Sequence, residues 1–227
     1  MTKKKWFAIG RTAFLSALMA LFAVLSTGCS NDEPDNPSSS ADNNSVTIKG
    51  DGSATGGAVY SKIDDTTFFL DYVKYRIVDS HLEIIGYDKV ELPAEPRLYS
   101  EVKIDGTVYK TREIASGAFY DAKCTKITLP AGICNMKGSY SDYFGCFEYC
   151  DFLESVVLPA SLETIGKYCF SGCSKLSKVV FLGPCPRSYW SNSFTNKPVA
   201  FVKSEYVDSF RNDSDFQKLF SEIKVMD

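Results

Sequence analysis

The fold is decided by the stretch IGKYCFSGCSKLSKVVF, which occupies residues 165–181. Most of its apolar residues have an apolar counterpart 23 positions earlier in the chain. The pairs are Cys146 and Cys169, Phe147 and Phe170, Cys150 and Cys173, Leu153 and Leu176, Val156 and Val179, and Leu158 and Phe181. Apolar residues that recur at a fixed period of this length are typical of a solenoid, in which each unit buries its apolar face by stacking on the next. The sequence therefore predicts a repeat protein with a stacked core.

The repeats are predicted to fill residues 111–183 as a short stack of about three units. The first unit is degenerate and includes Ala118, Phe119 and Ile127. The third matches its motif best and contains LPASLETIGKYCFSGCSKL, residues 158–176. This motif resembles the repeat of BspA-type leucine-rich proteins, whose frame is L-P-x-x-L-x-x-I-G, then A-F-x-x-C-x-x-L, then V-x-L. The resemblance implies a right-handed leucine-rich repeat solenoid, rich in β-strand with short helical turns. It also implies a role in adhesion or host interaction.

Alternation within the repeat predicts which residues face outward. Val156 and Val179 are expected in the core, and the residues that follow them, Val157 and Val180, on the opposite face of the strand. Like positions of successive units then form outward columns about 4.8 Å apart from strand to strand. The candidate binding residues on this open sheet are Lys126, Thr128, Ser155, Val157, Lys178 and Val180.

The second repeat is six residues longer than the third between its proline and its phenylalanine, and the extra residues are placed at 138–143. Insertions in solenoids project as loops, often on the binding face. Tyr140 and Tyr143 are candidate contact residues because tyrosine offers a large contact area with few rotatable bonds. The alternative is a tolerated loop whose tyrosines fold back on the coil.

The N-terminal segment indicates export. Residues 1–28 combine Lys3–Lys5 with an apolar run, 13–25, that is too short to span a membrane, as in a signal peptide. The sequence LSTGC, ending at Cys29, resembles the lipobox of bacterial lipoproteins, so Cys29 is the expected site of lipid attachment. A secretory signal with an incidental cysteine is the alternative. Residues 29–45 are expected to form a disordered tether, because they lack large apolar residues. Acidic residues in this tether resemble the surface-export tag of lipoproteins in the Bacteroides group, although a generic solvated linker fits as well.

The flanks of the repeats are predicted to close the stack. Residues 46–110 are rich in β-branched and aromatic residues and carry Asp105-Gly106, a hairpin signal. They are expected to form an antiparallel β module that caps the first repeat. Residues 184–227 are expected to form a strand and helix cap. In this cap Ser214–Gln217 is interpreted as a capping box. The helix is expected to place Phe216, Leu219, Phe220 and Ile223 on one face.

Charge and cysteine content restrict the function. The net charge is -3, and the expected signal carries only basic residues, so the mature chain is more acidic still. An acidic protein has no general attraction to phosphate backbones, so we expect no nucleic-acid partner. The spacing of Cys146 and Cys150, repeated at Cys169 and Cys173, is compatible with zinc, but their place in the repeat favours buried thiols and no metal or cofactor. Disulfides are also compatible with an exported protein. The pairing among Cys124, Cys134, Cys146, Cys150, Cys169, Cys173 and Cys185 stays open.

The residues do not form a catalytic constellation in the sequence. The single histidine, His81, lies in the expected cap, and no Gly-rich phosphate loop is present. We therefore expect a non-catalytic binding module, not an enzyme. It would be lipid-anchored in the outer membrane facing the exterior, and it would bind a protein or a glycan. The second hypothesis is an accessory lipoprotein that captures glycan for an outer-membrane uptake system. An enzyme is the third. The ligand and the oligomeric state are not determined by the sequence.

Overall fold

The computed structural model describes residues 45–48, 57–138 and 144–227. Cys29, the signal, most of the tether, and Tyr140 and Tyr143 lie outside these residues. Seven strands lie in the described residues of the N-terminal part: β1 (Ser45–Ile48), β2 (Tyr60–Lys62), β3 (Thr67–Leu70), β4 (Val73–Val78), β5 (His81–Tyr87), β6 (Glu101–Ile104) and β7 (Thr107–Ile114). Strands β2 to β5 are connected as successive antiparallel pairs. Strands β6 and β7 form the predicted hairpin, with positive φ at both Asp105 and Gly106.

The sequence led us to expect an antiparallel module at the N-terminus, but two of the strand pairs in this part are parallel. Strand β1 pairs in parallel with β6, and β5 pairs in parallel with β7. The segment 88–100 separates β5 from the β6–β7 hairpin, which gives the chain room to return and run in the same direction. Strand β7 crosses the predicted boundary at residue 110 and pairs in parallel with the strand Asn135–Met136 of the repeats. Its outer edge is therefore not left open.

The repeats contribute alternate strands to two sheets. Short strands β9 (Asn135–Met136), β11 (Thr164–Ile165) and β13 (Ser188–Tyr189) extend the N-terminal sheet in parallel. A second sheet is wholly parallel and consists of β8 (Lys126–Thr128), β10 (Ser155–Leu158), β12 (Lys178–Phe181), β14 (Val199–Lys203) and β15 (Glu222–Met226). Strands β14 and β15 continue this ladder beyond the three predicted repeats.

A ladder of stacked phenylalanines fills the core between the turns. Phe119, Phe147, Phe170 and Phe194 are buried, with ring centroids 4.9, 5.3 and 4.9 Å apart and nearly parallel planes. The ladder arises because the same position of each coil carries an aromatic ring and the coils stack in register. Backbones approach closely where the coils touch, and a Cβ on Gly166 would lie 2.1 Å from the nitrogen of Gly138. A larger residue would push these two coils apart.

The C-terminal segment differs from the helix predicted for it. Helices α1 (Val207–Arg211) and α2 (Ser214–Gln217) are short, and the N-cap of α2 is Asp213 rather than Ser214. The Asp213 carboxylate accepts hydrogen bonds from the backbone nitrogens of Asp215 and Phe216, and it also accepts one from the Tyr189 hydroxyl at 2.6 Å. Ile223 lies on β15, because the chain leaves the helix to pair with β14. In the described residues, no helix has the length and apolar character needed to cross a membrane.

Candidate binding surface

The predicted open-sheet residues lie side by side on the second sheet. Lys126, Ser155 and Lys178 pair across β8, β10 and β12, and Thr128, Val157 and Val180 form the adjacent column. Each of the six is exposed or half-buried, whereas their neighbours Ile127, Val156 and Val179 are buried. This is the outward alternation that the sequence predicts for these strands.

The open sheet face extends further than the sequence indicated. In register, Val199 and Glu222 continue the first column, and Phe201 and Lys224 continue the second. Val157, Val180 and Phe201 are half-buried and run across three adjacent strands as an apolar strip. The alternation in Val199–Lys203 indicates a strand, but its parallel pairing with β12 is a tertiary contact that no local signal gives.

Lysines surround the apolar strip. Three of them are paired with carboxylates: Lys126 with Glu95 at 3.1 Å, Lys203 with Glu205 at 3.6 Å, and Lys224 with Glu222 at 3.2 Å. The ammonium of Lys178 instead lies 4.9 Å from the centre of the Phe201 ring. Among the described residues, no carboxylate lies within salt-bridge distance of Lys178. The face therefore combines an apolar centre with a cation that is held in place and still available for binding.

The cysteines occupy the core, as their place in the repeat predicts. Cys124, Cys146, Cys150, Cys169, Cys173 and Cys185 carry free thiols, and all but Cys185 are buried. The sulfurs of Cys146 and Cys169 are 3.4 Å apart, and the thiols of Cys150 and Cys173 donate to the carbonyls of Phe119 and Phe147. Burial raises the pKa of the Cys146 thiol, which keeps it protonated. In the described part of the chain, no group of His, Cys, Asp and Glu is arranged to hold a metal ion.

His81 lies beside an ion-pair cluster on the N-terminal sheet. Its Nε2 is buried, lies 3.7 Å from a Glu113 oxygen and makes no hydrogen bond within the described residues. Glu83, with 2% of its side chain exposed, accepts from Arg76 at 2.5 Å and from Lys137 at 2.6 Å. Lys137 also contacts Glu113 at 2.7 Å. Because these contacts join β4, β5, β7 and the residue that follows β9, the cluster links the N-terminal strands to the first coils.

The comparisons with known proteins agree with this architecture. Residues 100–200 match the family model described as the BspA type leucine rich repeat region, in six copies. The fold is of the leucine-rich repeat type. A crystal structure of a leucine-rich repeat protein from Bacteroides capillosus is similar with a TM-score of 0.51 at 16% identity, and the match covers 72% of this chain and 100% of that one.

Two further structures of lower similarity are also found. They are a leucine rich cell surface protein from Faecalibacterium prausnitzii, at 11% identity and TM-score 0.48, and the pneumococcal vaccine antigen PcpA, at 18% identity and TM-score 0.39. The matches cover 73% and 72% of this chain but only 44% and 48% of those proteins, so this chain spans less than half of their length. No curated protein matches the chain.

Proposed function

We propose that this protein is a surface-displayed, non-catalytic binding module whose open sheet face recognises a macromolecule. The observation that carries the proposal is the apolar strip Val157–Val180–Phe201, which is only half-buried although the coils beneath it are fully packed. Lysines border the strip on both sides. An apolar centre with a polar, charged rim is the usual anatomy of a protein interface.

Phe201 is the proposed anchor of this face. Aromatic residues dominate the binding energy of interfaces because they bury a large area at a small entropic cost. The contact with Lys178 restrains both side chains before a partner arrives, which reduces the entropy lost on binding. Tyr140 and Tyr143 are kept as predicted additional contacts in the loop that follows Gly138.

The proposed organisation of the whole chain follows from the sequence. Residues 1–28 are proposed to be removed as a signal, Cys29 to carry the lipid, and 29–45 to tether the folded part to the outer membrane. Residues 46–110 would cap a stack of coils, 111–183, and residues 184–227 would close its other end. The aromatic rings of Phe210, Phe216 and Phe220 support this last role, because they lie 5.0, 5.7 and 5.8 Å from the ring of Phe181 at the end of the core.

The proposal is tested with substitutions that alter the open sheet but not the core. We expect purified wild-type protein to bind one member of a panel of mucins, extracellular-matrix proteins and polysaccharides on a sensor surface. Phe201→Ala should then weaken that binding by about tenfold, and Val180→Asp should weaken it at least as much. Thr164→Asp is the matched control, because it places the same charge on a half-buried strand position of the other sheet.

The outcomes separate the candidates. Binding that is equal in wild type and in both open-sheet variants would refute the assignment of this face. Polysaccharide binding that both open-sheet variants weaken, without any protein partner, would select glycan capture by this face over protein recognition. Replacement of Tyr140 and Tyr143 together by alanine tests the loop, and an unchanged affinity would remove it from the binding surface.

A further inference from the structure

A second exposed aromatic surface lies at the turns of the first two coils, ahead of the strands of the open sheet. It consists of Tyr120, Phe144, Tyr149 and Phe152 and is called the aromatic edge here. Phe144, Tyr149 and Phe152 are 45%, 47% and 44% exposed, although similar rings elsewhere in the coils are buried. Tyr120 contacts both of its neighbours, with ring centroids 4.0 Å from Phe144 and 5.8 Å from Tyr149. Tyr120, Phe144 and Tyr149 therefore form one partly exposed ring cluster, and Phe152 lies three residues beyond Tyr149 in the same coil.

The backbone of Tyr149 has an unfavourable conformation for a residue with a side chain. Its φ is 61°, in the left-handed region that glycine adopts easily and that a bulky residue adopts only with strain. At the equivalent position of the next coil the chain has Gly172, at φ 73°. A Cβ on Gly172 would lie 2.6 Å from the Tyr149 ring, so this glycine makes the space in which the ring rests. Left-handed φ recurs in the turns of the coils, at Asp121 (57°) and Tyr168 (62°), so this backbone conformation belongs to the coil. What distinguishes Tyr149 is an exposed ring at a position where the next coil has a glycine that leaves room for it.

Two lysines from the flanking coils place their ammonium groups at the rim of this surface. The ammonium groups of Lys123 and Lys175 lie 5.5 and 4.8 Å from the centre of the Phe152 ring. Lys123 is also paired with Asp121 at 2.6 Å. Lys175 has no carboxylate within salt-bridge distance among the described residues, so its charge is available to an anionic partner. Cation–π contact restrains the ammonium without neutralising it.

The backbone of the aromatic edge is already occupied by hydrogen bonds between coils. The backbone nitrogen of Tyr149 donates to the carbonyl of Ser171 at 2.8 Å, and that of Asp121 donates to the carbonyl of Glu148 at 3.0 Å. A peptide that binds as an added strand needs free backbone groups, and the backbone nitrogens of Tyr149 and Asp121 do not offer them. What remains exposed is ring surface and ammonium groups. Ring surface suits the C–H face of a sugar, and ammonium suits a carboxylate or a sulfate.

We propose that the aromatic edge is a binding site for an acidic polysaccharide, whose sugar rings stack on Tyr149 and its neighbours and whose anionic groups pair with Lys175. The rigid placement of Tyr149 favours this partner, because a ring that is held before binding loses little entropy when a sugar stacks on it. This site shares no residue with the open sheet face and goes beyond the function proposed for that face.

The test measures binding of the full-length protein to four polymers by calorimetry: polygalacturonate, chondroitin sulfate, neutral dextran and poly-L-glutamate. We expect one of the two acidic polysaccharides, or both, to bind at least tenfold more tightly than dextran and poly-L-glutamate. Polygalacturonate carries carboxylates only, whereas chondroitin sulfate carries carboxylates and sulfates, so binding of chondroitin sulfate alone would show that the site requires a sulfate. Added salt should weaken the binding, because the Lys175 contact is exposed.

Tyr149→Gly is the decisive variant. It removes the ring and also the backbone strain, so the protein should stay folded, with an unfolding temperature equal to or above that of wild type. The affinity for the acidic polysaccharide should fall about tenfold, which corresponds to about 1.4 kcal/mol. Asp79→Gly is the matched control, because Asp79 has φ 52° in the β4–β5 turn and no place in the aromatic edge. It should leave the affinity unchanged.

The charge is tested with Lys175→Gln, which should weaken binding about threefold and reduce its salt dependence. Lys89→Gln removes an exposed lysine in the N-terminal part and should do neither. Three results would overturn the proposal: equal affinity in Tyr149→Gly and wild type, equal binding of poly-L-glutamate, or no binding of either acidic polysaccharide. Val180→Asp should leave the binding of polygalacturonate and chondroitin sulfate intact, and Tyr149→Gly should leave intact the binding of any panel member that Val180→Asp weakens, so failure at one surface is distinguishable from failure at the other.

Discussion

Replacement of Lys137 by methionine is the sharpest test of how the N-terminal strands are joined to the coils. Lys137 donates to Glu83 at 2.6 Å and to Glu113 at 2.7 Å, and 36% of its side chain is exposed. A hydrogen bond to a charged group contributes about 1.5–3 kcal/mol when it is well shielded. Solvent screens Lys137 in part, and Glu83 retains Arg76, so we expect the two contacts together to contribute about 2 kcal/mol. Methionine keeps the length and the apolar packing of the lysine stem.

The assay is urea unfolding followed by circular dichroism. With a slope of about 2 kcal/mol per molar urea, the Lys137→Met midpoint should fall by about 1 M. Lys218→Met is the control, because Lys218 is bonded to Asp215 at the same 2.6 Å but is 71% exposed. No measurable shift is expected for it. A Lys137→Met midpoint within error of wild type would refute the account of the cluster.

The pH dependence gives a second, independent readout of the same cluster. Burial is the largest influence on Glu113 and acts to raise its pKa, but hydrogen bonds from Lys137 and Asn135 outweigh it and leave the pKa below the ordinary value. Stability from Glu113 is therefore present above the pKa of an unfolded glutamate, about 4.3, and is lost as pH falls through the lower folded value. The difference between wild type and Lys137→Met should be large at pH 7 and should shrink towards pH 3. A constant difference over this range would contradict the assignment.

Two further predictions concern the core. Phe147→Ala should destabilise the protein by about 4 kcal/mol, because the ring is fully buried and stacks on both sides, whereas Phe152→Ala, at 44% exposure, should cost about 1 kcal/mol or less in the same urea assay. The free thiols should react slowly with Ellman's reagent at pH 8, since burial raises the pKa of Cys146 and raises that of Cys185 to about 12. After unfolding, at least the six free thiols should be titrated; fast reaction of the native protein would contradict their protection.

The sequence predicted the parts of the fold that depend on its period. Phe147 and Phe170 stack because they occupy the same position in coils that lie in register, and the period gave that register directly. The same period placed Val157 beside Val180 on the open face. Both inferences need only two facts: side chains alternate along a strand, and equivalent residues of a solenoid are neighbours.

The remaining features depend on contacts that no local pattern records. Residues 222–226 form a strand because β14 offers them a parallel edge, although the turn before them resembles the start of a longer helix. From the strand alternation Glu83 would be expected to be exposed. It is buried instead, and it is paired with Arg76 and Lys137, which lie 7 and 54 positions away in the chain. The strain of Tyr149 is likewise visible only beside Gly172, because left-handed backbone at a tyrosine has no sequence signal.

The two proposed surfaces use residues that the stack itself does not need. Inward positions are restricted by packing on the coils above and below, so a core phenylalanine can only be replaced at a large cost in stability. Outward positions touch their neighbours along a column and are otherwise free to vary. Phe201 and Tyr149 place aromatic area where a small polar residue, or a glycine, would satisfy the fold equally well. Since their rings are partly in solvent and their replacement should spare stability, loss of binding in Phe201→Ala and Tyr149→Gly can be attributed to recognition rather than to unfolding.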